Sequence, residues 1–251
     1  MARCANASRG RHVKGEAVVK PAYRVVVALL FAFFFLSRAF ADDSPPSQKE
    51  FEPPSGKGRV AVVVSGQTGP DNYAYYAKDL ADKGYYAVLV DGNNFWIKGG
   101  GGEALLRGVI TRAQQSPHAM PGKVAVIGFS LGGASSLAYA TRMPDLVSAV
   151  VVSYPDTQYI TNADNFVSRI KVPTLVFAGG RDTYKNCCVI EMARKLASAA
   201  KTSGGKVMLE VVEYPDAEHG WTIKSLRSYR ADYTADAFRR TLEHLRQNAG
   251  D

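Results

Sequence analysis

The chain has 251 residues, 46% hydrophobic and 22% charged, with a formal net charge of +8. That apolar content supports one globular core and excludes a mainly disordered chain, and three Cys cannot staple a fold. The charge is local: seven of the 31 basic and one of the 23 acidic residues lie in residues 1–41, leaving 24 basic against 22 acidic. A nucleic-acid-binding surface is therefore not expected.

Residues 1–41 read as a secretory signal peptide. A basic stretch precedes the apolar run Val25–Leu36 (VVVALLFAFFFL), and Ala39-Phe40-Ala41 supplies a small-x-small cleavage site. Twelve apolar residues rise about 18 Å as a helix, short of a roughly 30 Å hydrocarbon core. The expectation is an exported protein, periplasmic or secreted, with no stable membrane span after cleavage. Residues 42–58 carry four Pro and are expected to be a linker or extended arm.

Residues 59–251 alternate short apolar runs with helical stretches. Strands are predicted at 59–65, 85–90, 123–128, 147–153, 174–178 and 206–213. Helices are predicted near 72–83, 102–115, 131–142, 187–203 and 232–247. Near-continuous β-branched runs of this kind suit a parallel sheet covered by helices on both faces. The fold class is α/β, with ligands expected beyond the carboxyl ends of the strands.

Gly128-Phe129-Ser130-Leu131-Gly132 follows the strand VAVI and precedes a helix-compatible stretch. A Gly-x-Ser-x-Gly turn between strand and helix presents the Ser side chain at its apex, which makes Ser130 the candidate nucleophile. A serine hydroxyl needs a base. Of the four His, His12 lies in the leader, His118 enters the nucleophile strand from the wrong end, and His244 sits within the last helix. His219, just past the last strand, is the candidate base. Its acidic partner is expected to be Asp182, after strand 174–178, with Asp91 and Asp216 as alternatives. The oxyanion hole is expected from the backbone amides of Leu131 and Gln67, with Thr68 the near alternative to Gln67.

Three segments carry a resemblance: VAVIGFSLGG (124–133), AGGRDTY (178–184) and EYPDAEHGW (213–221). The chain resembles the α/β-hydrolase superfamily, in its dienelactone hydrolase-like branch, over about residues 59–247. The resemblance implies a mostly parallel sheet with helices on both faces, no large lid domain and no cofactor. It also implies a small-molecule ester substrate cleaved through a Ser-His-Asp triad and an acyl-enzyme intermediate. Dienelactone hydrolases carry Cys at the nucleophile position, where this chain has Ser130, so a serine esterase is the expected activity. A peptidase or thioesterase on the same triad, and a non-catalytic ligand-binding protein of the same fold, are the alternatives.

Thr68, Tyr73, Trp96, Tyr154, Tyr184 and Trp221 lie near strand ends and are candidates to line the substrate pocket. Cys187 and Cys188 are expected to be two small residues at a helix start, one of them buried, with a vicinal disulfide in an oxidising compartment as the alternative. No Cys/His spacing supplies the three or four ligands of a metal site.

Overall fold

A computed structural model describes residues 48–95 and 101–249. The leader, residues 42–47 and Trp96 lie outside the described residues.

Seven strands form one sheet: β1 (Gln48–Phe51), β2 (Arg59–Val64), β3 (Tyr85–Val90), β4 (Val124–Phe129), β5 (Val147–Ser153), β6 (Thr174–Gly179) and β7 (Leu209–Tyr214), in the order β1-β3-β2-β4-β5-β6-β7. β1 runs antiparallel to β3, and every other pairing is parallel. The helices are α1 (Ala74–Asp82), α2 (Gly102–Gln114), α3 (Leu131–Ala138), α4 (Ala163–Val167), α5 (Ile190–Thr202) and α6 (Ala231–Gln247).

Strand periodicity divides the core into two layers. Val60, Val62 and Val64 of β2 face one layer, with Leu106 and Val109 of α2, Leu137 of α3, Phe166 of α4 and Leu196 of α5. Ala61 and Val63 face the other, with Ala77 and Leu80 of α1 and Ala237 and Leu245 of α6. Both faces are covered, so the central strands are apolar along their whole length. No helix among the described residues is long and apolar enough to cross a membrane.

The chain leaves β2 for β3, then crosses back over β2 to β4. This reversal puts a topological switch point between β2 and β4, where a crevice opens at the carboxyl ends. Register brings those ends level: Val64 pairs with Gly128, Gly128 with Val152 and Phe129 with Ser153.

The structure adds two elements and shifts one. Part of the Pro-rich segment, Gln48–Phe51, forms the edge strand β1, pairing Gln48 with Val90 and Phe51 with Ala87. The five-residue α4 is capped by the Asn162 side chain, which accepts from the Asn165 N–H. The last strand begins at Leu209 rather than Lys206, because Gly204 and Gly205 take left-handed φ values of 67° and 80° in the preceding turn.

Candidate active site

Ser130 stands between β4 and α3 with φ 50° and ψ −115°, a conformation that costs a non-glycine residue energy. The turn is held by backbone bonds. Ser130 N–H donates to Ser153 O at 3.0 Å, and its own carbonyl accepts from Ala134 at 2.9 Å and Asp156 at 3.1 Å. The flanking glycines are required by crowding. A Cβ on Gly132 would fall on the carbonyl oxygens of Val64 and Ser65, and one on Gly128 would fall on the Ser136 hydroxyl and Gly132. α3 can therefore pack its first turn directly against the ends of β2 and β4.

His219 follows β7 and Asp182 follows β6. Ser130 Oγ lies 2.9 Å from His219 Nε2, and His219 Nδ1 lies 2.7 Å from Asp182 Oδ2. The carboxylate can only accept, so Nδ1 carries the proton and Nε2 is left to accept from the Ser130 hydroxyl. The Asp182 side chain is fully buried, while 15% of the His219 side chain is exposed. Asp182 Oδ1 accepts a second bond, from the Tyr184 N–H at 3.1 Å. Such a row lets the serine proton pass to the imidazole while the carboxylate holds the ring's tautomer.

The alternatives are engaged elsewhere. Asp91 caps a short turn by accepting from the Asn93 N–H, and Asp216 pairs with Arg181 at 2.8 Å. His118 Nδ1 is 2.9 Å from Gly56 O, beyond the opposite end of the sheet. His244 Nε2 is 3.3 Å from Pro173 O, and burial holds its pKa below the usual histidine value.

The loop after β2 runs beside Ser130: a Cβ on Gly66 would stand 3.2 Å from Ser130 Cβ. Gln67 is held on two sides, its carbonyl accepting from Asn93 Nδ2 at 3.2 Å and its side-chain amide donating to the Tyr184 hydroxyl at 2.6 Å. The Tyr184 ring stacks on His219 with centroids 4.5 Å apart and planes 10° from parallel. Tyr184 thus joins the β2 loop to the histidine, a bridge no local sequence signal reveals. Thr68 is exposed, one residue further along the same loop, and its carbonyl accepts from Asn72. Leu131 is the first residue of α3, where a helical N–H has no intrahelical acceptor.

Three of the aromatic pocket candidates do not line an opening. Tyr73, Tyr154 and Trp221 are fully enclosed. Tyr154 meets the His219 ring edge-on at 5.0 Å and Trp221 at 5.7 Å, and its hydroxyl is bonded to Thr222. Tyr214 lies 5.0 Å from Trp221 and 4.6 Å from Tyr233. These rings form a packed floor beneath the histidine, and burial raises the Tyr73 and Tyr154 hydroxyls above the ordinary tyrosine value. Strand-end position indicates proximity to the site; it does not indicate which way a ring turns.

Cys187 and Cys188 are also a correction. They are joined as a vicinal disulfide rather than standing as two thiols at a helix start. α5 begins only at Ile190, preceded by Val189 in extended conformation. Lys185 and Asn186 both take left-handed φ values, 47° and 56°. Cys187 is itself in the helical region, but Val189 at ψ 142° breaks the chain's helical path, so the helix expected from 187 cannot begin before Ile190.

A family model, dienelactone hydrolase, matches residues 102–249. Among curated proteins the chain is similar to Protein usf of Aquifex pyrophilus, 33% identical over 95 residues, covering 38% of this chain and 40% of that one. It is also similar to a Yersinia pestis protein named for carboxymethylenebutenolidase, 28% identical over 131 residues, covering 50% of this chain and 47% of that one. The matches thus span less than half the length of either relative. Among solved structures it is similar to a Klebsiella pneumoniae protein named for dienelactone hydrolase, at 18% identity and a TM-score of 0.65, covering 80% of this chain and 98% of that one. That likeness is one of fold: a mostly parallel sheet with helices on both faces and no large lid. With the family model matching more than half of its length, the chain belongs to the dienelactone hydrolase family.

Proposed function

We propose that the protein is an exported serine hydrolase that cleaves carboxylic esters through an acyl-enzyme intermediate. The observation that carries this reading is the hydrogen-bonded row Ser130–His219–Asp182, at 2.9 and 2.7 Å. In the first half-reaction His219 Nε2 takes the Ser130 proton as Oγ attacks the ester carbonyl. The amides of Leu131 and Gln67 donate to the oxyanion as it forms. His219 then returns the proton to the leaving alkoxide. In the second half-reaction His219 activates water, and the acid is released. Asp182 stays ionised throughout and stabilises the imidazolium.

Family membership supports hydrolysis of a small molecule, and the 1–41 leader supports export. The serine at position 130 favours an ordinary ester over the substrates of the family's cysteine enzymes. A peptidase or thioesterase on the same row is the alternative reading.

The test is fluorophosphonate labelling of the purified protein beside Ser130→Ala, with a p-nitrophenyl ester series. Labelling and turnover that vanish together in Ser130→Ala are the expected result, with kcat falling by about 10⁴ or more. A folded wild type that neither labels nor turns over any ester overturns the proposal.

A further inference from the structure

The vicinal disulfide stands against the proposed catalytic base. The two sulfurs of Cys187 and Cys188 and a ring nitrogen of His219 all lie within 4.8 Å of one another. Both cysteines are buried, at 6% and 5% exposure, and the histidine is half-buried. The backbone there is fixed: the Cys187 carbonyl accepts from both the N–H and the hydroxyl of Thr157, at 2.9 and 3.2 Å. While the sulfurs are bonded to each other they have no thiolate to offer.

We infer that reduction of Cys187–Cys188 creates a site for one thiophilic divalent cation, Zn²⁺ or Cd²⁺, with His219 as third ligand. The chemistry balances. A phosphine reductant takes an oxygen atom from water, becomes the phosphine oxide, and leaves the pair as two thiols. The cation then displaces both thiol protons. Two thiolates cancel its double charge, so the complex is neutral and tolerates burial. Tetrahedral zinc, with Zn–S near 2.3 Å and Zn–N near 2.0–2.1 Å, spaces such ligands roughly 3.6–3.8 Å apart, within the observed cluster. Soft sulfur ligands select zinc and cadmium over magnesium or calcium.

Loss of activity follows from the geometry. His219 Nε2 faces Ser130 and Nδ1 faces Asp182. Whichever nitrogen the cation takes, the row is broken. The site is thus redox-gated: closed to metal when the pair is oxidised, open when it is reduced. This goes beyond the esterase reading and is measured apart from it.

The experiment titrates Cd²⁺ into the full chain and follows the ultraviolet thiolate-to-cadmium charge-transfer band. Three samples are compared: protein left oxidised, protein reduced with a phosphine that is then removed without air, and reduced Cys187→Ser/Cys188→Ser. The third cysteine, Cys4, lies in the leader and, where the leader is retained, is common to all three samples. The expected result is a band saturating near one ion per chain in the reduced wild type and absent in the other two. Reduced His219→Asn, whose disulfide partners are untouched, is expected to bind about tenfold or more weakly. Zn²⁺ is expected to cut ester turnover of the reduced wild type at least about tenfold, reversed by chelator, and to leave the serine pair turning over. No band in the reduced wild type overturns the inference. So does an equal band in the serine pair, or undiminished affinity in His219→Asn. Fluorophosphonate labelling of the oxidised wild type reports separately on the esterase reading.

Discussion

At Asp182 and Tyr184 one can ask what each side chain adds to the imidazole they share. Asp182 Oδ2 accepts from Nδ1, so an amide in its place can present a donor to that nitrogen and favour the wrong tautomer. Asp182→Asn is therefore predicted to lower kcat about 10³–10⁴-fold with the fold intact, measured by ester turnover and circular dichroism. Tyr184 has two separable contacts, its ring on His219 and its hydroxyl on Gln67. Tyr184→Phe keeps the first and loses the second; Tyr184→Ala loses both. The expected order of kcat is wild type, Phe, Ala, with roughly tenfold between the ends, and equal rates in all three would remove Tyr184 from the positioning of His219. Ser130, Asp182 and His219 were readable because each reactive residue type follows a strand of the same sheet. Gln67 and Tyr184 were each legible as candidates, but the hydrogen bond that joins them across 117 positions was not, since no sequence pattern links a loop after one strand to a side chain after another.

The elements hold these residues through a few close approaches. α3 meets β2 so tightly that Gly132→Ala would drive a methyl group into the Val64 and Ser65 carbonyls. We predict a loss of about 2–4 kcal/mol, read from urea denaturation, or failure to fold. α6 is tied to the end of β7 by Asp236, which accepts from Tyr214 at 2.9 Å, Arg240 at 2.7 Å and Arg239 at 2.7 Å. Partial burial raises this carboxyl, but the hydrogen bonds from Arg240, Arg239 and Tyr214 outweigh it and bring it down to about 2. A pKa depressed in the folded state stabilises above the unfolded value near 3.9, and the gain is lost as pH falls toward 2. Asp236→Asn should therefore lower stability at pH 7 by about 1 kcal/mol or less, because the group is partly solvated, and the difference should close near pH 2. Helix and strand periodicity made most of these elements legible. β1 was hidden because QKEF carries little apolar alternation and stands among prolines; the vicinal disulfide was legible only as one of two options, because adjacent Cys permit that bond without requiring it.

For the whole molecule the governing object is the sheet. β1 covers the outer edge of β3, and its Lys49 is paired with Asp71. Removing residues before Gly58 would leave β3 with unpaired backbone groups on an apolar strand. The truncated protein is predicted to self-associate in gel filtration where the longer chain does not. At the other end lies the aromatic floor, where Tyr154, Tyr214 and Tyr233 stand 5.7, 5.0 and 6.5 Å from Trp221. Rings this close exchange electronic excitation faster than they radiate. Light absorbed by these three tyrosines should leave the folded protein as indole emission, and their share of the phenolic band should appear only when the sheet comes apart. The ground beneath the histidine is in that sense an antenna, and its failure in denaturant is a label-free signal that the site has lost its foundation.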